Sequence, residues 1–163
     1  MAATTIFERL KQDHDKHRKL IAAIEQTSGT SDERKAFFEE YKTDAIAHAA
    51  TEELTLYHAL IGESKMRAYA QHAAKDHHEI EDAIKEVSET DMSSPGWLAK
   101  FKSLKETYLE HIDEEEKTIF PDALKDLGKD KSVELLAAYN AKKPEEIERA
   151  EAGCDEKINE KIG

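Results

Sequence analysis

The chain has 163 residues, of which 37% are charged and 39% are hydrophobic, and its formal net charge is -12. This length fits one domain with a substantial core, and the small number of Gly and Pro residues favours helices over sheet. The negative charge argues against a nucleic-acid partner or an anionic membrane surface, because both require a basic face. No apolar stretch approaches membrane-spanning length, so we expect a cytoplasmic protein.

The first half of the chain is predicted to contain two amphipathic helices, because its apolar residues are spaced three and four apart. The first helix runs over about residues 6–26. The sequence Thr30-x-x-Glu33 predicts a capping box at the start of the second helix, which is expected to stop at Gly62.

The second half repeats this arrangement. A third helix carries its apolar stripe over residues 66–87. Ser94 and Pro95 supply an N-cap and a first-turn proline for the fourth helix, and Pro121 is expected to close that helix or to lie just beyond it.

The short connections predict an all-α fold, an up-down-up-down antiparallel four-helix bundle over residues 1–127. Residues 128–163 are predicted to form a short helical C-terminal extension, with shorter helices over about 131–141 and 144–152. Packing of this tail on the bundle, self-association through it and fraying all stay open.

A pattern of histidines and carboxylates repeats along the chain at an interval of 63 residues. Each copy has an Asp-His pair, a second histidine 34 residues after the first, and a pair of glutamates that begins four residues later. The repeat predicts two similar helical hairpins that each carry half of one polar site. The first copy is Asp13, His14, His48, Glu52 and Glu53, and the second is Asp76, His77, His111, Glu115 and Glu116.

Six members of the repeat lie on stripes where the helical period calls for apolar side chains. A buried, unpaired carboxylate costs several kcal/mol, and a divalent cation would remove that cost. Imidazole and carboxylate bind iron, manganese and zinc, whereas the lone cysteine, Cys154, cannot build a thiolate site. The alternative is a metal-free hydrogen-bonded network, in which every member needs a partner. The candidate metal ligands are His14, His48, Glu52, His77, His111 and Glu115, with both glutamates able to bridge two ions.

These motifs resemble the hemerythrin-like, or HHE cation-binding, family over about residues 6–127. The most specific is the fourth-helix motif, which begins at His111 and ends in Phe120-Pro121. The resemblance implies two iron ions in an oxo- or hydroxo-bridged di-iron centre, with manganese and zinc as alternatives. It also implies O2 or a peroxide-type small ligand at an open coordination position. It assigns no catalytic residue and no organic cofactor.

The ligand set differs from that of the oxygen carriers of this family in one place. Those proteins have His-x-x-x-His on the third helix, whereas Ala73 stands four residues before His77. Glu81, His72 and His17 are the candidates to complete the shell, and a missing ligand is the alternative.

The sequence also offers two candidates for the carboxylate ligand of the fourth helix. Glu115 keeps the four-residue spacing from His111 that many members share, whereas Glu116 matches the five-residue spacing of the oxygen carriers. We select Glu115 because it lies on the apolar stripe and repeats Glu52.

Three functions are compatible with this reading. The leading hypothesis is a binding protein that carries, stores or senses O2 or related small ligands. The second is an enzyme of the same fold, either peroxide-decomposing or ferroxidase-like. The third is an iron-responsive regulatory or interaction protein. We expect a monomer or a weak homo-oligomer.

Overall fold

The computed structural model describes residues 2–62 and 65–153 in full and residues 154–162 as backbone only, so the side chain of Cys154 lies outside the described part. The described residues form helices and connecting turns, and the predicted all-α bundle is confirmed. The first hairpin consists of α1 (Ile6–Glu25) and α2 (Asp32–Glu52), and α2 continues through a π-helical turn (Glu53–Tyr57) into a last α-helical turn (His58–Ile61).

The second hairpin has the same construction. It consists of α3 (Arg67–Ser88) and α4 (Pro95–Glu114), and α4 continues through a second π-helical turn (Glu115–Ile119). The chain then enters α5 (Phe120–Ile162). None of the helices in the described part of the chain is long and apolar enough to cross a membrane.

Contacts between α1 and α2 run in opposite order along the two helices. Asp13 contacts His48 near one end of the pair, and Thr27 contacts Arg34 at the other. The same reversal relates α3 to α4, because residue 76 contacts residue 111 whereas Thr90 contacts Lys100. Each hairpin is therefore a pair of antiparallel neighbours.

The helix starts agree with the predictions to within two residues. Ser94 is the N-cap of α4 and Pro95 is its first residue, as predicted. The cap of α2 is Ser31 instead of Thr30, because the Ser31 hydroxyl accepts a hydrogen bond from the backbone N–H of Arg34 at 3.2 Å. The predicted capping box is therefore wrong by one residue.

The prediction that Pro121 closes the fourth helix or lies just beyond it is wrong. The helical path continues from the second π turn into α5, where Pro121 is the second residue. A proline normally collides with the carbonyl four residues before it. That carbonyl belongs to Lys117, which lies in the π turn, where the wider spacing relieves the collision.

The prediction of two short tail helices is also wrong. The backbone of α5 is kinked at Gly128, where φ is +79°, and the helical segment after this kink runs through Pro144 without a further break. Tyr139 and Lys143 on α5 are both buried, and the helix packs on α1 and α2. This packing outweighs the cost of about 3 kcal/mol that an interior proline imposes.

The interior of the bundle consists of two apolar clusters separated by a polar layer. One cluster fills the end where α1 and α3 finish, and it includes Ile24, Ile84, Trp97 and Phe101. The other fills the opposite end, where α5 also contributes Tyr139. The polar layer between them contains the histidines and glutamates of the repeat.

We expect Leu104→Ala to lower the free energy of unfolding by about 2–5 kcal/mol, because Leu104 is fully buried in the first cluster and its truncation leaves a cavity. Leu124→Ala is the matched control, since 42% of Leu124 is exposed, and it should cost less than about 1 kcal/mol. Urea unfolding followed by circular dichroism measures both changes. Equal costs would contradict this assignment of the core.

Candidate metal centre

The six predicted ligands meet at one level of the bundle. Helices α1 to α4 each contribute one histidine, and α2 and α4 each add a glutamate one turn later. All six residues are buried between the two apolar clusters. The structure thus brings together His14, His48, Glu52, His77, His111 and Glu115.

Each of the two glutamates contacts one histidine from each hairpin. Glu52 lies 3.4 Å from the Nε2 atom of His48 and 3.2 Å from the Nε2 atom of His77. Glu115 lies 3.4 Å from Nε2 of His14 and 3.2 Å from Nε2 of His111. Both carboxylates are therefore arranged as bridges between the two hairpins.

The donor atoms form two overlapping groups, within each of which all atoms lie within 4.8 Å of one another. The first group, which we call the His14 position, contains His14 and His48. The second, the His77 position, contains His77 and His111. Glu52 and Glu115 belong to both groups.

The hydrogen bonding of these atoms fits bound cations. In the described part of the chain, seven buried side-chain nitrogen and oxygen atoms have no hydrogen-bond partner, and the pocket holds all of them except the Tyr41 hydroxyl. They include both carboxylate oxygens of Glu52 and the Nε2 atoms of three histidines. Unpaired buried acceptors are costly, and a cation would satisfy several at once. The imidazole and carboxylate donors suit iron, manganese or zinc.

Every histidine of the pocket directs its other ring nitrogen to a carboxylate farther from the centre. We call these four carboxylate residues the outer carboxylates. They fix the orientations of the imidazole rings and keep each Nε2 atom directed toward the pocket. The Nδ1 contacts are Asp13 with His48 at 2.9 Å, Asp76 with His111 at 3.0 Å, Glu53 with His77 at 2.9 Å and Glu116 with His14 at 3.2 Å.

The outer carboxylates obey the same 63-residue repeat as the ligands. Asp13 and Asp76 occupy equivalent places, each before the first histidine of its copy. Glu53 and Glu116 are the second residues of the two glutamate pairs. Sequence reasoning left these partners unassigned, although the repeated Asp-His and Glu-Glu pairs carried the signal.

The structure separates the two candidate carboxylates of the fourth helix. Glu115 is fully buried in the pocket, whereas Glu116 lies outside it and contacts both His14 and Arg18. Burial alone would raise the pKa of Glu116, but the contacts with His14 and Arg18 lower it to about 2. Glu116 is therefore an ionised partner of an imidazole.

None of the candidates for an additional ligand reaches the pocket. His17 is buried one turn from His14, but its Nε2 lies 2.5 Å from Asp44 and its Nδ1 contacts Tyr108. Glu81 is exposed, and His72 lies at the surface with its Nε2 3.0 Å from Glu114. Each position therefore has two histidines.

The two π-helical turns lie at the level of the glutamates. Glu52 immediately precedes the first turn, and Glu115 opens the second. Single π turns within α-helices are frequent at functional sites. The first also carries Tyr57, whose hydroxyl donates a hydrogen bond to Glu115 at 2.5 Å, whereas the equivalent residue of the second copy is Phe120.

The two buried carboxylates do not share charge equally when no cation separates them. Burial raises the pKa of Glu52 well above its usual value, and the neighbouring charge of Glu115 adds to this effect. Burial opposes ionisation of Glu115 as well, but His111 and His14 outweigh it and hold the pKa of Glu115 well below its usual value. In the absence of cations, Glu52 therefore binds a proton more readily than Glu115 does.

Comparison with known proteins identifies a family and a fold. The model of the family described as Hemerythrin HHE cation binding domain matches residues 5–123. A comparison with curated proteins found no match. Among solved structures, the chain is similar to a hemerythrin HHE cation-binding domain-containing protein from Mycobacterium kansasii, with 24% identity, a TM-score of 0.66, and coverage of 91% of this chain and 99% of that one. At this identity the similarity bears on the fold alone.

We expect His77→Ala to reduce the amount of bound metal to about one ion or less per chain, because His77 supplies a donor atom of the second group. His78→Ala is the matched control, since the adjacent His78 is exposed and pairs with Asp82 at the surface. Metal content after loading and desalting, measured by mass spectrometry, tests the pair. Equal metal content in both variants would contradict the ligand assignment.

Metal affinity should rise with pH. Burial disfavours the charged imidazoles, but neighbouring carboxylates, Glu115 foremost, outweigh it and raise the pKa of His14 and of His111 to about 9. A metal ion must displace the proton from each of these imidazoles in order to bind. Below the pKa of about 9, each displaced proton therefore lowers the apparent metal affinity about tenfold for every pH unit. Competition with a chelator of known affinity between pH 6.5 and 9 measures this slope. A flat profile would contradict the protonation assignment.

The free energy of unfolding of the metal-free protein should fall as the pH rises. The pKa values of His14 and His111 are raised above the ordinary value of 6.5, so their contribution is complete below that pH. It is lost as the pH rises through about 9. Thermal unfolding of chelator-treated protein over the same pH range tests this sign.

Proposed function

This chain belongs to the hemerythrin HHE cation-binding domain family, and on that premise we propose that it holds two iron ions and binds O2 or a related small ligand. The observation that carries the proposal is the sharing of Glu52 and Glu115 between two groups of donors. His14 and His48 would hold one ion, and His77 and His111 the other. When bound, the iron pair supplies redox chemistry and open coordination positions for a small ligand.

The count of donors supports an open position. Each group supplies two imidazoles and two shared carboxylates, and iron commonly accepts six ligands. His17, His72 and Glu81 contribute nothing to either group. If each group held an iron ion, the protein side chains would leave coordination positions free for further ligands.

The protein around the pocket excludes water and fixes the donors. Phe120 packs face to face with the ring of His14, with ring centroids 5.8 Å apart, and closes the pocket from the second apolar cluster. The outer carboxylates hold the imidazoles in orientation, and Tyr57 holds Glu115. A dry pocket with fixed donors slows the loss of a bound small molecule to competing water.

A peroxide-decomposing enzyme is the second candidate function. The absence of a third histidine from the His77 position favours it, because Ala73 occupies the place of the additional ligand and lies in the apolar cluster. A pocket with a higher ratio of carboxylates to histidines than that of the oxygen carriers stabilises ferric iron. Stabilisation of ferric iron makes reversible O2 storage less favourable. The Tyr57 hydroxyl donates a hydrogen bond to Glu115 at the pocket wall.

Optical spectroscopy of iron-loaded protein under alternating aerobic and anaerobic conditions tests the proposal, and metal-free protein is the control. We expect two iron ions per chain and a visible absorption band that appears with O2 and disappears on its removal. Rapid O2 evolution after addition of peroxide would favour the enzyme instead. Iron-dependent folding with neither response would favour a regulatory role, and a loaded chain with fewer than two iron ions would contradict the dinuclear centre.

A further inference from the structure

The His14 and His77 positions have equivalent histidine and glutamate donors, but their outer carboxylates make different contacts. Around the His14 position, Asp13 contacts three cationic or hydroxyl groups: Arg9, the Tyr139 hydroxyl, and the Lys143 ammonium at 2.9 Å. The other outer carboxylate of this position, Glu116, contacts Arg18. Both outer carboxylates are thus paired with cations.

The His77 position lacks this support. Asp76 contacts His72 at 3.4 Å in addition to His111, and Glu53 contacts His77. No lysine or arginine in the described part of the chain forms an ion pair with either of these outer carboxylates. The side chains of Asp76 and Glu53 are 19% and 43% exposed, against 6% for Asp13 and 21% for Glu116. Glu53 is therefore the outer carboxylate most accessible to water, and neither it nor Asp76 is held by a lysine or arginine as Asp13 and Glu116 are.

The difference originates in two places in the sequence. Within the repeat, the residue equivalent to Arg9 is His72, and the residue equivalent to Arg18 is Glu81, so both arginines are replaced in the second copy. Outside the repeat, α5 contributes Tyr139, which has no counterpart at the His77 position. Helix α5 lies almost entirely beyond the segment that matches the family, which ends at residue 123.

Lys143 joins two buried carboxylates on the side of the His14 position. It lies 2.9 Å from Asp13 and 3.5 Å from Asp44, and all three side chains are largely buried. Asp44 in turn contacts His17. A buried cation between two carboxylates resists rotation of either, because any movement would leave a charge unpaired.

Release of a metal ion requires its imidazole and carboxylate donors to move away from it. At the His14 position, the support of Asp13 opposes rotation of the His48 ring. At the His77 position, the outer carboxylates can exchange their imidazole contacts for water. Outer partners of metal-binding histidines typically change metal affinity by about 10–100-fold, so this difference is large enough to separate two release rates.

We propose, on the premise of the dinuclear centre above, that the two ions leave at different rates: the His14 position retains its ion, and the His77 position exchanges its ion with solvent. Tyr139 and Lys143 are the positioning residues that produce the difference, since they act through Asp13. The C-terminal helix therefore slows the loss of the ion at the His14 position, whereas the ion at the His77 position exchanges faster.

Anaerobic release of ferrous iron from fully loaded protein into an excess of chromogenic chelator tests this inference. Wild-type protein should release two ions in two phases of equal amplitude. Lys143→Met should accelerate the slow phase by about 10–100-fold and leave the fast phase unchanged. Tyr139→Phe should act in the same direction with a smaller effect.

Lys142→Met is the matched control, because the adjacent Lys142 is half exposed and pairs with Glu145 at the surface. It should leave both phases unchanged. Wild-type protein can be separated from the chelator after the fast phase and crystallised. Anomalous diffraction should then locate the remaining iron at the His14 position. A variant that loosened the fold as a whole would accelerate both phases and lower the unfolding midpoint, and that result would overturn a specific role for Lys143.

The two proposals fail in different ways. Fewer than two ions per loaded chain would overturn the dinuclear centre and this inference with it. Two ions released in a single phase, iron remaining at the His77 position, or a slow phase unaffected by Lys143→Met and Tyr139→Phe would overturn the inference alone.

Discussion

The burial of two facing carboxylates, Glu52 and Glu115, is the constraint on which the rest of this structure depends. Two anions in an apolar interior repel each other and lose their hydration, so imidazoles and cations around them stabilise the pocket. The apolar clusters on either side increase both the cost of an unpaired carboxylate and the strength of its attraction to a cation. Folding and metal binding are consequently coupled in this bundle.

Periodicity and repetition made the helices and the inner donors predictable from the sequence. The polar residues on the apolar stripes of four helices had to face one another, whatever the details of packing. The outer carboxylates were harder to assign, because the partner of each lies on a different helix. Asp13 pairs with a histidine of α2, and Glu116 pairs with one of α1. Their assignment requires knowledge of which helix faces lie side by side.

The helical character of the C-terminal extension was predicted, but its packing on the bundle could not be predicted in this way. Its contacts join residues about 130 positions apart, as between Lys143 and Asp13, and no local pattern records such a pairing. Local signals were also misleading, because Pro121 and Pro144 both normally end helices. A π turn accommodates the first, and burial of the surrounding helix against α1 and α2 outweighs the second.

The repetition of the ligand pattern in the two hairpins has a consequence for assembly. Two separate copies of a single hairpin, related by a twofold axis, would present the same four imidazoles and two bridging carboxylates. Joining the halves in one polypeptide removes the dependence of such a dimer on its concentration. It also frees the halves from strict symmetry, so that Arg9 and His72 can differ at equivalent places. A twofold dimer of identical hairpins, by contrast, cannot differ on one side of its site without differing on the other.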